Sequence, residues 1–174
     1  MNLSSHLESR HMDVSRYSSI HLDEENGLVL FLLWNLSGQL VGYQQYRPSA
    51  SKKGQNNPRE NRYYTSIHGN RNEKPLAVWG LETLAYRKDL LVICEGVFDA
   101  CRLHNQGIPA IATLTGTPRH LDLWLFSLGR KLYTVPDDHG SKLGRYEELQ
   151  LPPDRGDLGE CTEEEIIVLT NRLN

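Results

Sequence analysis

A glutamate followed at once by a glycine, Glu95-Gly96, closes a short apolar run over residues 90–94, and Asp99 follows one helical turn later. A second apolar run, residues 131–135, leads through Pro136 into Asp137-Asp138-His139-Gly140. Asp157 is a third acidic point, after a further strand candidate at residues 146–151. Brief continuous apolar runs suit strands buried on both faces of a parallel sheet. Ligands of open α/β sheets bind at the carboxyl ends of the strands. Neighbouring strands lie about 5 Å apart, so carboxylates at their ends can share one or two divalent cations. Oxygen donors that leave room for water and phosphate suit Mg²⁺ or Mn²⁺. Two such ions about 4 Å apart activate an attacking oxygen and stabilise a leaving one in phosphoryl transfer. Glu95 has a plainer alternative role, as a carboxylate at the N-terminus of the next helix. Several uncompensated acids at one sheet edge repel one another, which favours the cation.

The elements that must position these groups alternate regularly. Residues 98–106 read as a helix closed by Gly107, residues 108–114 as a buried strand, and residues 120–128 as a helix closed by Gly129. Thr117-Pro118 suits an N-cap with proline at the first helical position. Thr162 and Glu165 form a capping box before a last helix over residues 166–173. Upstream, residues 27–35 and 39–47 predict a hairpin turning at Ser37-Gly38, with a further short strand at 62–66. Residues 49–61 between them read as a polar, cationic, mobile loop. A brief helix is expected at residues 81–86. Residues 1–22 are a Ser/His-rich arm without a periodic apolar face, and His6, His11 and His21 lack partners at metal-ligand spacing.

The net charge of −3 conceals an asymmetry. Seven basic residues face two acids between Arg47 and Lys74, whereas ten acids face three basic residues between Asp137 and Glu165. A basic lobe for a polyanion beside an acidic pocket for cations suits phosphate chemistry, although either block also serves as a solvated surface. No apolar run approaches the roughly 20 residues of a membrane span. Cys94, Cys101 and Cys161 form neither a disulfide framework nor a Cys-x-x-Cys pair, which predicts a reducing, cytoplasmic setting.

The ordered set Glu95-Gly96-x-x-Asp99, Thr115-Gly116-Thr117 and Asp137-Asp138-His139-Gly140 resembles the TOPRIM domain shared by bacterial-type primases, topoisomerases and some nucleases. Gly38-x-x-x-Gly42-Tyr43 with Arg47, then Arg62-Tyr63, then Trp79-Gly80-Leu81, is similar to the basic lobe that precedes TOPRIM in bacterial and phage primases. Gly156-Asp157-Leu158-Gly159-Glu160-Cys161 resembles the last acidic motif of phage primase-helicases. The resemblance implies an α/β fold: a TOPRIM domain, a parallel sheet flanked by helices, over residues 87–174. A small β-rich basic lobe at 23–86 and the arm at 1–22 would precede it.

It further implies a DNA primase-like core that makes short RNA primers on a single-stranded DNA template from ribonucleoside triphosphates. Glu95 becomes a metal ligand or general base, Asp99 its supporting carboxylate, Asp137 the main metal ligand and Asp157 an outer one, with Mg²⁺ or Mn²⁺ as the metal. Arg47 and Arg62, with Lys52, Lys53 and Arg59 of the cationic loop, would hold template or triphosphate, as arginine binds phosphate bidentately. Relatives show Asp-x-Asp where this chain has Asp137-Asp138-His139. If His139 ligates, imidazole shifts preference toward Mn²⁺ and other transition metals; alternatively Asp138 restores the carboxylate. Without a zinc ribbon or helicase the chain reads as a stand-alone core of phage or mobile-element type, served by a separate helicase or zinc-ribbon protein. The same residues leave two rivals: a TOPRIM nuclease, and a degenerate TOPRIM protein that binds DNA or a replication or defence partner.

Overall fold

The computed structural model describes residues 2–68, 76–115, 121–135 and 146–173. The chain divides into two compact units, residues 1–79 and 80–174.

The first unit is built on an antiparallel sheet. Strands β1 (Ile20–Asp23), β2 (Leu28–Trp34), β3 (Leu40–Tyr46) and β4 (Tyr63–Ile67) lie in the order β1-β2-β3-β4. The hairpin of β2 and β3 pairs Val29 with Tyr46 and Leu33 with Gly42. Side chains alternate across a strand, so Val29, Phe31, Leu33 and Tyr46 share one face, and all four are buried. Gly42 is required where β3 meets β4, since a Cβ there would stand 2.1 Å from the Ser66 carbonyl oxygen.

Residues 2–23 are folded, in part as helix. Helix α1 (Leu3–Ser9) buries Leu3 and Leu7, which lie four residues apart on one face, and Met12 is buried just after it. The His6 ring stacks on Tyr46 and its Nε2 lies 2.8 Å from the Tyr46 hydroxyl, while His11 and His21 are exposed. Tyr17 and Phe31 both pack against the buried ring of Trp79.

The second unit carries a four-stranded, wholly parallel sheet: β5 (Leu90–Cys94), β6 (Ala110–Ala112), β7 (Lys131–Thr134) and β8 (Glu147–Glu148), ordered β6-β5-β7-β8. Every residue of β5 is buried, as its unbroken apolar run predicts for a central parallel strand. Helices α2 (Val97–His104), α3 (Asp122–Ser127) and α4 (Glu163–Asn171) complete the unit. Gly107 and Gly129 each follow a helix at positive φ, and the Thr162–Glu165 capping box forms. The α/β class and the parallel sheet with helices are those the sequence implied. The fourth strand is shorter than expected: β8 pairs with β7 over only two residues, and Pro152-Pro153 follow soon after. Thr117-Pro118 lies outside the described residues.

Candidate functional site

The strand order creates one distinctive edge. From β5 the chain crosses by α2 to β6 on one side, then returns by α3 to β7 on the other. The carboxyl ends of β5 and β7 therefore flank the point where the winding reverses, the place where open α/β sheets bind ligands. Glu95 is the first residue beyond β5 and is half-buried. Its main chain is fixed by the two residues that follow β6: the Leu114 amide donates to the Glu95 carbonyl at 2.9 Å and the Thr113 amide to the Cys94 carbonyl at 2.9 Å. Leu114 holds this register at φ 58°, a left-handed conformation rare for a leucine. On the other side, β5 and β7 align Ile93 with Thr134.

Asp99 sits in the first turn of α2, where the helix dipole favours a carboxylate. Its side chain folds back over the preceding turn, so a Cβ on Gly96 would meet Asp99 Oδ2 at 2.7 Å. Gly96 itself has φ −97° and ψ 151°, open to any residue. The glycine thus gives the Asp99 carboxylate clearance to fold back in this position. Burial pushes the Cys94 thiol well up, and the nearby negative charge of Asp99 adds to that shift.

Asp157 belongs to the same unit and has a defined local task. It caps the 3-10 turn Leu158–Glu160, accepting the Glu160 amide at 3.0 Å. That turn packs against α2. Arg102, on α2 and only 2 % exposed, donates to the Cys161 carbonyl at 2.6 Å and to Glu163 at 3.1 Å. Sequence reasoning missed Arg102, because a lone arginine on a helix reads as a surface charge. Its spacing of three from Asp99, which puts the two on one side of α2, was the available signal.

Asp137, Asp138 and His139 lie outside the described residues. Among the described residues no group of three or more His, Cys, Asp or Glu side chains gathers as a cation site. Glu95 at the strand end and Asp99 over Gly96 are oxygen donors of the kind that Mg²⁺ or Mn²⁺ takes.

In the first unit, Arg47 donates from Nη1 to the Asn26 carbonyl at 3.1 Å, and Arg62 from Nε to the Ala50 carbonyl at 2.8 Å. Arg47 thus ties the end of β3 to the turn between β1 and β2, and Arg62 braces the cationic loop, which is tied down rather than mobile. The Arg62 amide bonds Ser51, the Arg47 amide bonds Arg62, and Gln45 donates to the Arg59 carbonyl at 2.6 Å. Lys52, Lys53 and Arg59 are exposed.

No family model and no curated protein sequence matches the chain. Solved structures do. A DnaG catalytic core superposes with a TM-score of 0.63 at 17% identity, covering 99% of this chain and 72% of that one. A DnaG primase catalytic domain bound to single-stranded DNA gives 0.55 at 20% identity over 84% and 51% of the two chains. The Aquifex aeolicus primase, with its zinc-binding and RNA polymerase domains, gives 0.58 at 22% identity over 98% and 46%. The fold is that of the DnaG primase catalytic core. The TOPRIM resemblance read from Glu95-Gly96-x-x-Asp99 therefore holds at the level of fold, and the chain spans about half to three quarters of these primase chains. Among the described residues no helix is long and apolar enough to cross a membrane.

Proposed function

We propose that this chain is a primase-like nucleotidyltransferase core that joins ribonucleotides on a single-stranded DNA template. The observation that carries the reading is the strand order. It places Glu95 at the reversal point, on the strand adjoining β7, whose sequence runs on within three residues to Asp137. The primase-core fold supports the reaction class, and the structure of a DnaG domain with single-stranded DNA supports the template.

In this reading Glu95, Asp137 and Asp138, with His139 as an alternative nitrogen donor and Asp157 farther out, hold Mg²⁺ or Mn²⁺. A bound divalent cation would polarise the phosphoryl group and favour ionisation of the attacking 3′-hydroxyl. The residues do the rest. Glu95, fixed from behind by Leu114 and Thr113, presents its carboxylate where the nucleotide phosphates arrive and can accept the hydroxyl proton. Asp99 holds negative charge beneath it. Lys52, Lys53 and Arg59 hold template or triphosphate by phosphate contacts, while Arg47 and Arg62 shape the loop that displays them. The two units thereby divide the work, the first on nucleic acid and the second on chemistry. A separate helicase or zinc-ribbon protein would select where synthesis starts.

Incubation with single-stranded DNA, labelled ribonucleotides and Mn²⁺ tests the proposal. Growth of labelled RNA supports it. Cutting of the DNA instead would make the chain a TOPRIM nuclease using water as the nucleophile. DNA binding with neither product would leave a binding protein.

A further inference from the structure

The second face of the first unit's sheet carries a feature that phosphate contacts alone do not call for. On β3 and β4, Tyr46 and Tyr63 pair on one face, so Tyr43 and Tyr64 point to the opposite one. Tyr43 pairs across the strands with Ser66, and Tyr64 with Gln45, so the tyrosines are diagonal neighbours, a separation of about 7–8 Å. Both are half-buried. Arg59 lies over the Tyr64 ring with its guanidinium carbon 5.7 Å from the centroid. A hydrogen bond to Tyr64, then the Tyr64 and Tyr43 oxygens, raise Arg59 above the ordinary arginine range.

The placement of Arg59 is built. Pro58–Glu60 is a 3-10 turn capped by Asn57, whose side chain accepts the Arg59 amide at 3.1 Å, and Gln45 from the sheet holds the Arg59 carbonyl. The outward surface of the guanidinium is exposed, and the loop over residues 47–62 carries five cations against Glu60 alone. Charge thus selects a polyanion, and an exposed planar cation beside two aromatic rings selects a flat π-system. An unpaired base on a single strand offers both, because bases stack on aromatic and guanidinium planes. A duplex keeps its bases stacked on one another and offers only phosphates.

We propose that Arg59, Tyr64 and Tyr43 form a stacking site for an unpaired nucleobase of a single-stranded nucleic acid. The inference rests on the reading that the first unit engages single-stranded DNA, and deepens it. It separates two roles within one loop: Lys52 and Lys53 contribute charge alone, whereas Arg59 contributes charge and also grips a base.

The test measures binding alone, without nucleotides or divalent metal, using labelled oligothymidylate and an abasic strand of the same length. The wild type should favour oligothymidylate. Arg59→Lys keeps the charge but removes the planar surface. It should weaken oligothymidylate binding about tenfold, within the range of one base–aromatic stack, and leave the abasic strand unaffected. Tyr64→Leu should do the same, with thermal melts showing that it folds. Equal wild-type affinity for the two strands, an equal loss on both, or no loss from Arg59→Lys would overturn the proposal. Base-dependent binding by a chain that makes no RNA would sink the polymerase reading and keep this one; the reverse result would do the opposite.

Discussion

Gly96→Ala isolates the geometry under the candidate catalytic carboxylates. The backbone at Gly96, φ −97° and ψ 151°, is ordinary for alanine, so the substitution introduces no main-chain strain. Replacing glycine also removes freedom from the unfolded chain, worth about 0.4–1 kcal/mol in favour of the variant. Against this, alanine is a poor N-cap, at a cost of similar size. Net stability should therefore change by less than about 1 kcal/mol. The activity should not be spared. The new Cβ would stand 2.7 Å from Asp99 Oδ2, and an ordinary contact needs at least 3.4 Å. The Asp99 carboxylate must retreat by about 0.5–0.7 Å, and since misplacement by 1 Å can cost a hundredfold, a loss of about tenfold follows. The assay is metal-dependent ribonucleotide incorporation beside a thermal melt, for Gly96→Ala, Asp99→Asn and the double variant. Because the alanine acts through Asp99, the double variant should be no worse than Asp99→Asn alone. Full activity in Gly96→Ala, or additive losses in the double variant, would refute the reasoning.

Neutralising Lys52, Lys53 and Arg59 together should flatten the log–log salt dependence of single-strand binding by roughly 0.7 for each phosphate that is no longer neutralised, read by fluorescence anisotropy over a salt series. Arg102→Ala should cost about 2–3 kcal/mol in urea denaturation, because it takes a buried donor from the Cys161 carbonyl, and the half-exposed Glu163 tempers the loss. Glu165 is held below the ordinary glutamate range, first by Arg155 and then by the Thr162 amide. A carboxyl depressed in the folded state stabilises above its unfolded value of about 4.3 and loses that contribution as pH falls through its folded value. Glu165→Gln should therefore flatten the acid side of the melting-temperature profile below about pH 4.3 and leave its slope near neutrality unchanged.

Periodicity and punctuation made the core of the second unit legible. β5 matches residues 90–94 because a strand buried on both faces writes an unbroken apolar run. Gly107, Gly129 and the Thr162–Glu165 box marked helix ends by local chemistry that packing did not override. The N-terminal region was less legible because its signals are short. Leu3 and Leu7 give a single turn of periodicity, and Ile20 with Leu22 gives one alternation in a four-residue edge strand. At the site, Glu95 could be placed at a strand end, whereas the reversal of winding that singles out that end is a property of strand order. Arg47, Arg59 and Arg62 look alike in sequence. Only tertiary contacts separate the two that bond main-chain carbonyls from the one whose guanidinium lies against a tyrosine ring.

The central claim is that the carboxylate at the end of β5 serves nucleotidyl transfer. Comparing Glu95→Gln with the wild type in Mn²⁺-dependent incorporation of labelled ribonucleotides on single-stranded DNA tests it most directly. The substitution keeps shape and removes one negative charge, so the melting temperature should stay unchanged while incorporation falls by about a hundredfold or more. A folded Glu95→Gln protein that makes RNA at the wild-type rate would contradict the account.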